Sequence, residues 1–129
     1  MENIIVHLCL GVICGIFVYV LTLKLEFSLA IFLGNLLPDF VNLSGTYAYT
    51  GFVSFAEAVK TEVYLAWLQI SHNLGGIIGF WLVVLSLVWM LYRFHLIDKK
   101  EEKRWQQLVI LLLIGAIIHV LVDIFLMRF

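Results

Sequence analysis

Five side chains in this sequence have the types and placement to act together on a metal ion: His7, Asp39, His72, His119 and Asp123. The last two lie in the stretch IIHVLVDIF, residues 117–125, an ionisable pair inside a long apolar run. Four residues apart, they share one face of a helix, about 6 Å apart along its axis. A carboxylate at the centre of a membrane helix costs roughly 2.5–3.5 kcal/mol on insertion scales, so something must offset it. A divalent cation would do so: imidazole nitrogen and carboxylate oxygen suit zinc, and also manganese or iron. Taken singly, His7 could equally be hydrogen-bonded to a neighbouring helix, and Asp123 could be a counter-ion or a proton-relay carboxylate. Taken together, the five favour a metal site, because all fall toward one side of the membrane once the apolar segments are laid out.

The elements that must position them are set by composition. Hydrophobic residues make up 64% of the 129 and charged residues only 13%, with a mean hydropathy of +1.07. Soluble domains run nearer ~25% charged, so this is an integral membrane protein, an all-α polytopic helical bundle in one domain, residues 1–129. A formal net charge of −1 provides no basic footprint for nucleic acid. Residues 3–23 form one apolar run, long enough to cross the ~30 Å hydrocarbon layer. With Glu2 at its head and no small-residue cleavage site after it, this run is a span rather than a signal peptide.

The next run, residues 27–37, is short and stops at LLPDF, where Pro38 disfavours helix in the residue before it. It is expected to be a short, tilted or partial span. Residues 40–52 are expected as loop, broken by Asn42, Ser44, Gly45, Thr46 and Gly51. Tyr47, Tyr49, Phe52 and Phe55 would hold that loop at the membrane interface. Ser54-Phe-Ala-Glu57 has capping-box spacing and starts a helix. A helix from there to Phe94 would be too long for a simple span, so a short surface helix, a break, and a third span holding His72 and ending near Arg93 are expected. Residues 105–129 form the fourth span. The bundle thus has about four apolar segments and a short interfacial helix.

Six of the eight Lys and Arg residues (Lys24, Arg93, Lys99, Lys100, Lys103 and Arg104) fall on one side of that layout, against Lys60 and Arg128 on the other. The positive-inside rule puts the 93–104 loop in the cytoplasm of a plasma or inner membrane, and His7, Asp39, His72, His119 and Asp123 toward the outer face. His95 belongs to the cytoplasmic loop as a solvated residue.

The ordered motifs GNLLPDF, SHN and IGAIIHVLVDIF resemble those of the YdjM-like family of membrane-bound metal-dependent hydrolases. In that family an early His is followed by Gly-x-x-x-Pro-Asp, a His segment, and a late Gly-x-x-x-His-x-x-x-Asp helix. Here the matching residues are His7; Gly34, Pro38 and Asp39; His72; and Gly115, His119 and Asp123, spread over nearly the whole chain. The series also resembles part of the metal site of zinc-dependent phospholipases C and S1/P1-type nucleases. That resemblance implies that Asp39, His72, His119 and Asp123 hold one metal, and that His7 helps to hold a second bridged by Asp123. The chain departs from the family at Phe40, Val41 and Asn42, where an acid usually follows the Pro-Asp pair, and at Trp67, which replaces a second histidine.

The implied chemistry is hydrolysis of a phosphoester by metal-activated water, with Asp39 at the rim orienting the water or taking its proton. Membrane lipids surround the chain, so a lipid phosphoester is the expected substrate. A homo-oligomer or a larger membrane complex is compatible with the sequence. Two other classes compete. A haem-binding electron-transfer subunit would use His7, His72 and His119 on iron. A non-catalytic scaffold or small subunit would need no metal.

The remaining features concern packing. Cys9 and Cys14 are about 140° apart around one helix, a poor geometry for a disulfide. Gly11-x-x-x-Gly15 and Gly75-x-x-x-Gly79 permit close helix approach. Trp89, Tyr92 and Trp105 suit the cytoplasmic interface. Ser71 and Asn73 flank His72, either as plain helix polars or as partners of the histidine.

Overall fold

The computed structural model describes residues 2–51 and 54–126. Six helices make up the described chain: α1 (Glu2–Thr22), α2 (Leu25–Thr50), α3 (Phe55–Ala58), α4 (Glu62–Ser71), α5 (Leu74–Arg93) and α6 (Lys99–Leu126). Of these, α1, α2, α5 and α6 are long and apolar enough to cross a membrane. Most of their surface faces outward, with large apolar side chains such as Ile13, Phe17, Leu33, Leu82 and Phe125 exposed. That outward face is what a bilayer solvates. Short links, Leu23–Lys24 and residues 94–98, join α1 to α2 and α5 to α6, so each pair runs antiparallel.

The second segment differs from its sequence reading. Residues 40–50 are helix, and α2 runs unbroken through Pro38 as a full-length candidate span. The residues expected to break it are absorbed in three ways. The hydroxyls of Thr46 and Thr50 donate to the carbonyls of Asn42 and Thr46, one turn back, so they burden no other group. Gly45 yields its side-chain space to the indole of Trp67, which a Cβ there would strike. Pro38 is itself buried against the neighbouring helices, where packing compensates for its missing N–H. The helix ends at Gly51, whose φ of 72° suits glycine. Phe52 lies outside the described residues, as does Arg128.

One half of the capping box is present: Glu57 accepts from the Ser54 amide at 3.2 Å, at the start of α3. After the two residues that follow α3, Thr61 caps α4 by accepting from the Tyr64 amide. The expected break falls at His72–Asn73. The Asn73 side chain accepts from the amides of Gly75 and Gly76 and so starts α5 there. His72 therefore precedes the third span instead of lying inside it. The fourth helix starts six residues earlier than expected, at Lys99. His95 is exposed, with φ of 59° in the α5–α6 link.

The two central helices, α2 and α6, cross at glycine. A Cβ on Gly34 would strike the backbone of Leu112, and one on Gly115 would meet the Ile31 carbonyl and the Asn35 amide. Backbone cannot yield as a side chain can. Gly115→Val is therefore expected to cost about 3 kcal/mol or more and to lower the unfolding temperature in detergent markedly. Gly79→Ala should be neutral or stabilising, since a Cβ there meets nothing within 4 Å. Gly11 and Gly15 do receive α2, against Phe32, Asn35 and Ser28, whereas Gly75 and Gly79 take no neighbouring helix. Cys14 packs beside the Val18, Phe27 and Ile31 cluster, and Cys9 is exposed.

Candidate metal centre

The antiparallel order brings the start of α1, the second half of α2, the α4–α5 break and the end of α6 to one end of the bundle. There the five ionisable residues meet. His72 Nε2, His119 Nε2 and Asp123 Oδ2 lie 3.2 Å from one another, an equilateral triangle of donor atoms. Asp39 Oδ1 lies 3.7 Å from both imidazole nitrogens. For zinc bound at about 2.0–2.1 Å, the edge of a tetrahedron is about 3.4 Å. The triangle of His72, His119 and Asp123 is thus close to one face of such a tetrahedron, with Asp39 beside its two histidines. His119 is fully buried, while Asp39 is 29% exposed and forms the open side.

His7 meets the other oxygen of the same carboxylate. Its Nε2 is 2.8 Å from Asp123 Oδ1, and its ring stacks on His119 with centroids 3.7 Å apart. Two overlapping sets of three donors result, one of His7, His119 and Asp123 and one of Asp39, His72 and His119. The Asn35 amide donates to the His7 carbonyl at 2.5 Å, tying α1 to α2 at the height of the site. The Nδ1 atoms of His7 and His119 are buried without a hydrogen-bond partner.

His72 is oriented from behind by Ser71, whose hydroxyl is 2.8 Å from His72 Nδ1. That contact makes Ser71 a partner of the histidine, whereas Asn73 serves as a helix cap. Burial opposes charge on His72, but hydrogen bonds to Asp123 and Asp39 outweigh it and hold its pKa up at about 9. The two carboxylates thus favour positive charge at this point.

Tyr64 of α4 was not singled out by the sequence. Burial pushes its phenol pKa up first, the Asp39 charge adds to this, and a hydrogen bond with Asn42 pulls the other way. It stays protonated beside the two carboxylates. Asn42 is 1% exposed, and its Oδ1 has no hydrogen-bond partner. Asn35, Asp39, Asn42 and Thr46 follow one another at helical spacing. That stripe of small polar residues was the available signal for the site-facing side of α2.

At the opposite end, the Arg104 guanidinium pairs with Glu26, joining α6 to α2. The pair is too exposed to add much stability. Trp89 and Trp105 are about half exposed near the ends of α5 and α6 that lie there.

No protein-family model, no curated protein and no solved structure matches the chain.

Proposed function

We propose that this protein is a membrane-embedded, metal-dependent hydrolase of phosphoesters, related to the YdjM-like family by its ordered motifs. The observation that carries the reading is the triangle of His72, His119 and Asp123 with edges of 3.2 Å, with Asp39 at 3.7 Å from both histidines. The donors are hard oxygen and imidazole nitrogen, the set that suits zinc or manganese. Bound there, such an ion would lower the pKa of a coordinated water toward ~7 and stabilise negative charge on a phosphoryl oxygen. His7 holds Asp123 from its far side, as second partners commonly hold the ligands of a metal. Asp39 borders the open side, where its carboxylate can position water and accept its proton. The Tyr64 phenol is a neutral hydrogen-bond donor on the Asp39 side, at an end of the bundle where no arginine lies among the described residues.

The haem reading draws less support from this geometry. The Nε2 atoms of His72 and His119 sit 3.2 Å apart on one carboxylate oxygen, not facing one another across the width of a porphyrin.

A panel of phospholipids and prenyl phosphates in detergent or liposomes, with added zinc or manganese, tests the activity. Metal-dependent release of phosphate or of a phosphorylated headgroup is expected. Metal-loaded protein that turns over no member of the panel would leave the scaffold reading in its place.

In the proposed orientation the 93–104 loop is cytoplasmic and the metal centre faces outward. Lys100→Cys should resist an impermeant thiol reagent in intact cells and Lys60→Cys should react, in a background lacking Cys9 and Cys14. Both positions are exposed. The reverse labelling would move the site to the cytoplasmic face.

A further inference from the structure

Beside the metal centre lies an apolar groove of about 280 Å³. It exists because α2 and α5 both pack on α6 but barely touch each other, leaving a gap that α4 partly covers. Its walls include Pro38, Trp67, Ser71, Gly76, Trp81 and Ala116. Three of these adjoin the candidate ligands. Pro38 precedes Asp39, Ser71 precedes His72, and Ala116 is one turn before His119. The hydroxyl of Ser71 is engaged with His72, so the groove offers an occupant almost no polar partner. The indole of Trp67 makes this wall apolar.

We infer that this groove holds one hydrocarbon chain of a lipid substrate, with the phosphoester of that lipid at the Asp39–His72 side of the cluster. The inference rests on the hydrolase reading for its polar end and on the groove itself for its apolar end. At about 30 Å³ per small group, the share of one water in the liquid, the volume takes about nine methylenes. A free phosphate or a short water-soluble ester would leave it unfilled. The groove is bounded by candidate spans on both flanks, so a lipid enters sideways from the bilayer without leaving it.

Trp67 and Trp81 line the groove, and the remaining tryptophans, Trp89 and Trp105, lie elsewhere. With Trp89→Phe and Trp105→Phe as background, quenching by mid-chain brominated dodecyl phosphate reports occupancy. A brominated neutral detergent serves as the non-specific control. Saturable quenching by the phosphate probe is expected. Gly76→Phe should weaken it at least tenfold by filling the groove, and Gly79→Phe, one turn further along α5, should leave it unchanged. A Cβ at Gly76 finds only ordinary contacts, the nearest being the Ile70 carbonyl at 3.5 Å, so the helix tolerates it. Ile70→Phe, on the exposed wall, is the second filling variant.

Quenching that rises linearly with probe, or that neither filling variant weakens, overturns the groove as a chain site. Hydrolysis is read separately, as turnover of dodecyl and ethyl phosphoesters. Saturable quenching without turnover of either ester would sink the hydrolase reading and leave the chain site standing. Turnover of both esters at equal kcat/KM would do the reverse.

Discussion

Asp123→Asn is expected to strip the protein of its metal. Wild-type protein purified in detergent should carry about one zinc-like ion per chain by mass spectrometry, and the variant a small fraction of that. The charge and both oxygens of Asp123 are in use. Oδ2 stands 3.2 Å from two imidazole nitrogens and Oδ1 stands 2.8 Å from His7. Asparagine keeps the shape but supplies one oxygen and no charge. Its NH2 must face either the cation or His7, and either choice loses an interaction. Losing an anionic ligand together with its supporting contact should weaken binding by a hundredfold or more, since loss of an outer partner alone costs 10–100-fold. His95→Ala is the control, because His95 is exposed in the α5–α6 link. Equal metal in wild type and Asp123→Asn would rule out the proposed centre.

The spans were legible because each is an unbroken apolar run, and the capping signal at Ser54–Glu57 was legible because it is local. The second half of α2 was not. Pro38, Gly45 and the polar residues between them have low helix propensity, and propensity is a weak prior against packing. The indole of Trp67 decides Gly45, and Trp67 lies on a helix that sequence adjacency does not connect to it. Asn42 and Thr46 look like loop residues one at a time, yet with Asn35 and Asp39 they form a single helical stripe. Read as a period instead of as breakers, they would have extended α2 and marked its site-facing side.

The five ionisable residues stood out because charge in an apolar run is costly and therefore informative. Their partners did not. Ser71 was visible only as a neighbour of His72, and Asn35 and Tyr64 are of types common at helix ends and interfaces. Only the packing of helices around the crossing at Gly34 and Gly115 brings Asn35 and Tyr64 to the cluster. The same crossing explains why the glycines of GNLLPDF and IGAIIHVLVDIF accompany the candidate ligands. Gly115 lies one turn before His119 on α6, and Gly34 lies five residues before Asp39 on α2. Close backbone approach at these two points sets the distance between Asp39 and His119, so ligand geometry and helix packing are one constraint.

His119→Ala and Asp39→Ala should separate metal binding from turnover. His119 is fully buried, and its Nε2 is a vertex of the tightest triangle of donors. Alanine there removes a neutral nitrogen ligand and opens a cavity beside the stacked His7 ring. Metal and phosphoesterase rate should both fall to background, and excess zinc should not restore them. Asp39 stands further off, at 3.7 Å from each histidine, and is partly exposed. Asp39→Ala should bind metal more weakly but fill again when zinc is raised. At full occupancy its rate should remain about 10²–10³-fold below wild type, the range lost with a positioned proton acceptor. Its unfolding temperature should move little, because a rim carboxylate with solvent access leaves no buried charge unpaired when it is removed. The decisive measurement is rate against bound metal for both variants on the same lipid phosphoester. If Asp39→Ala regains the wild-type rate once loaded, Asp39 acts only as a ligand, and the proton must be taken by another group at the open side. If His119→Ala keeps its metal, the ion lies elsewhere, and the triangle of donors is only a hydrogen-bonded cluster joining α6 to the α4–α5 break.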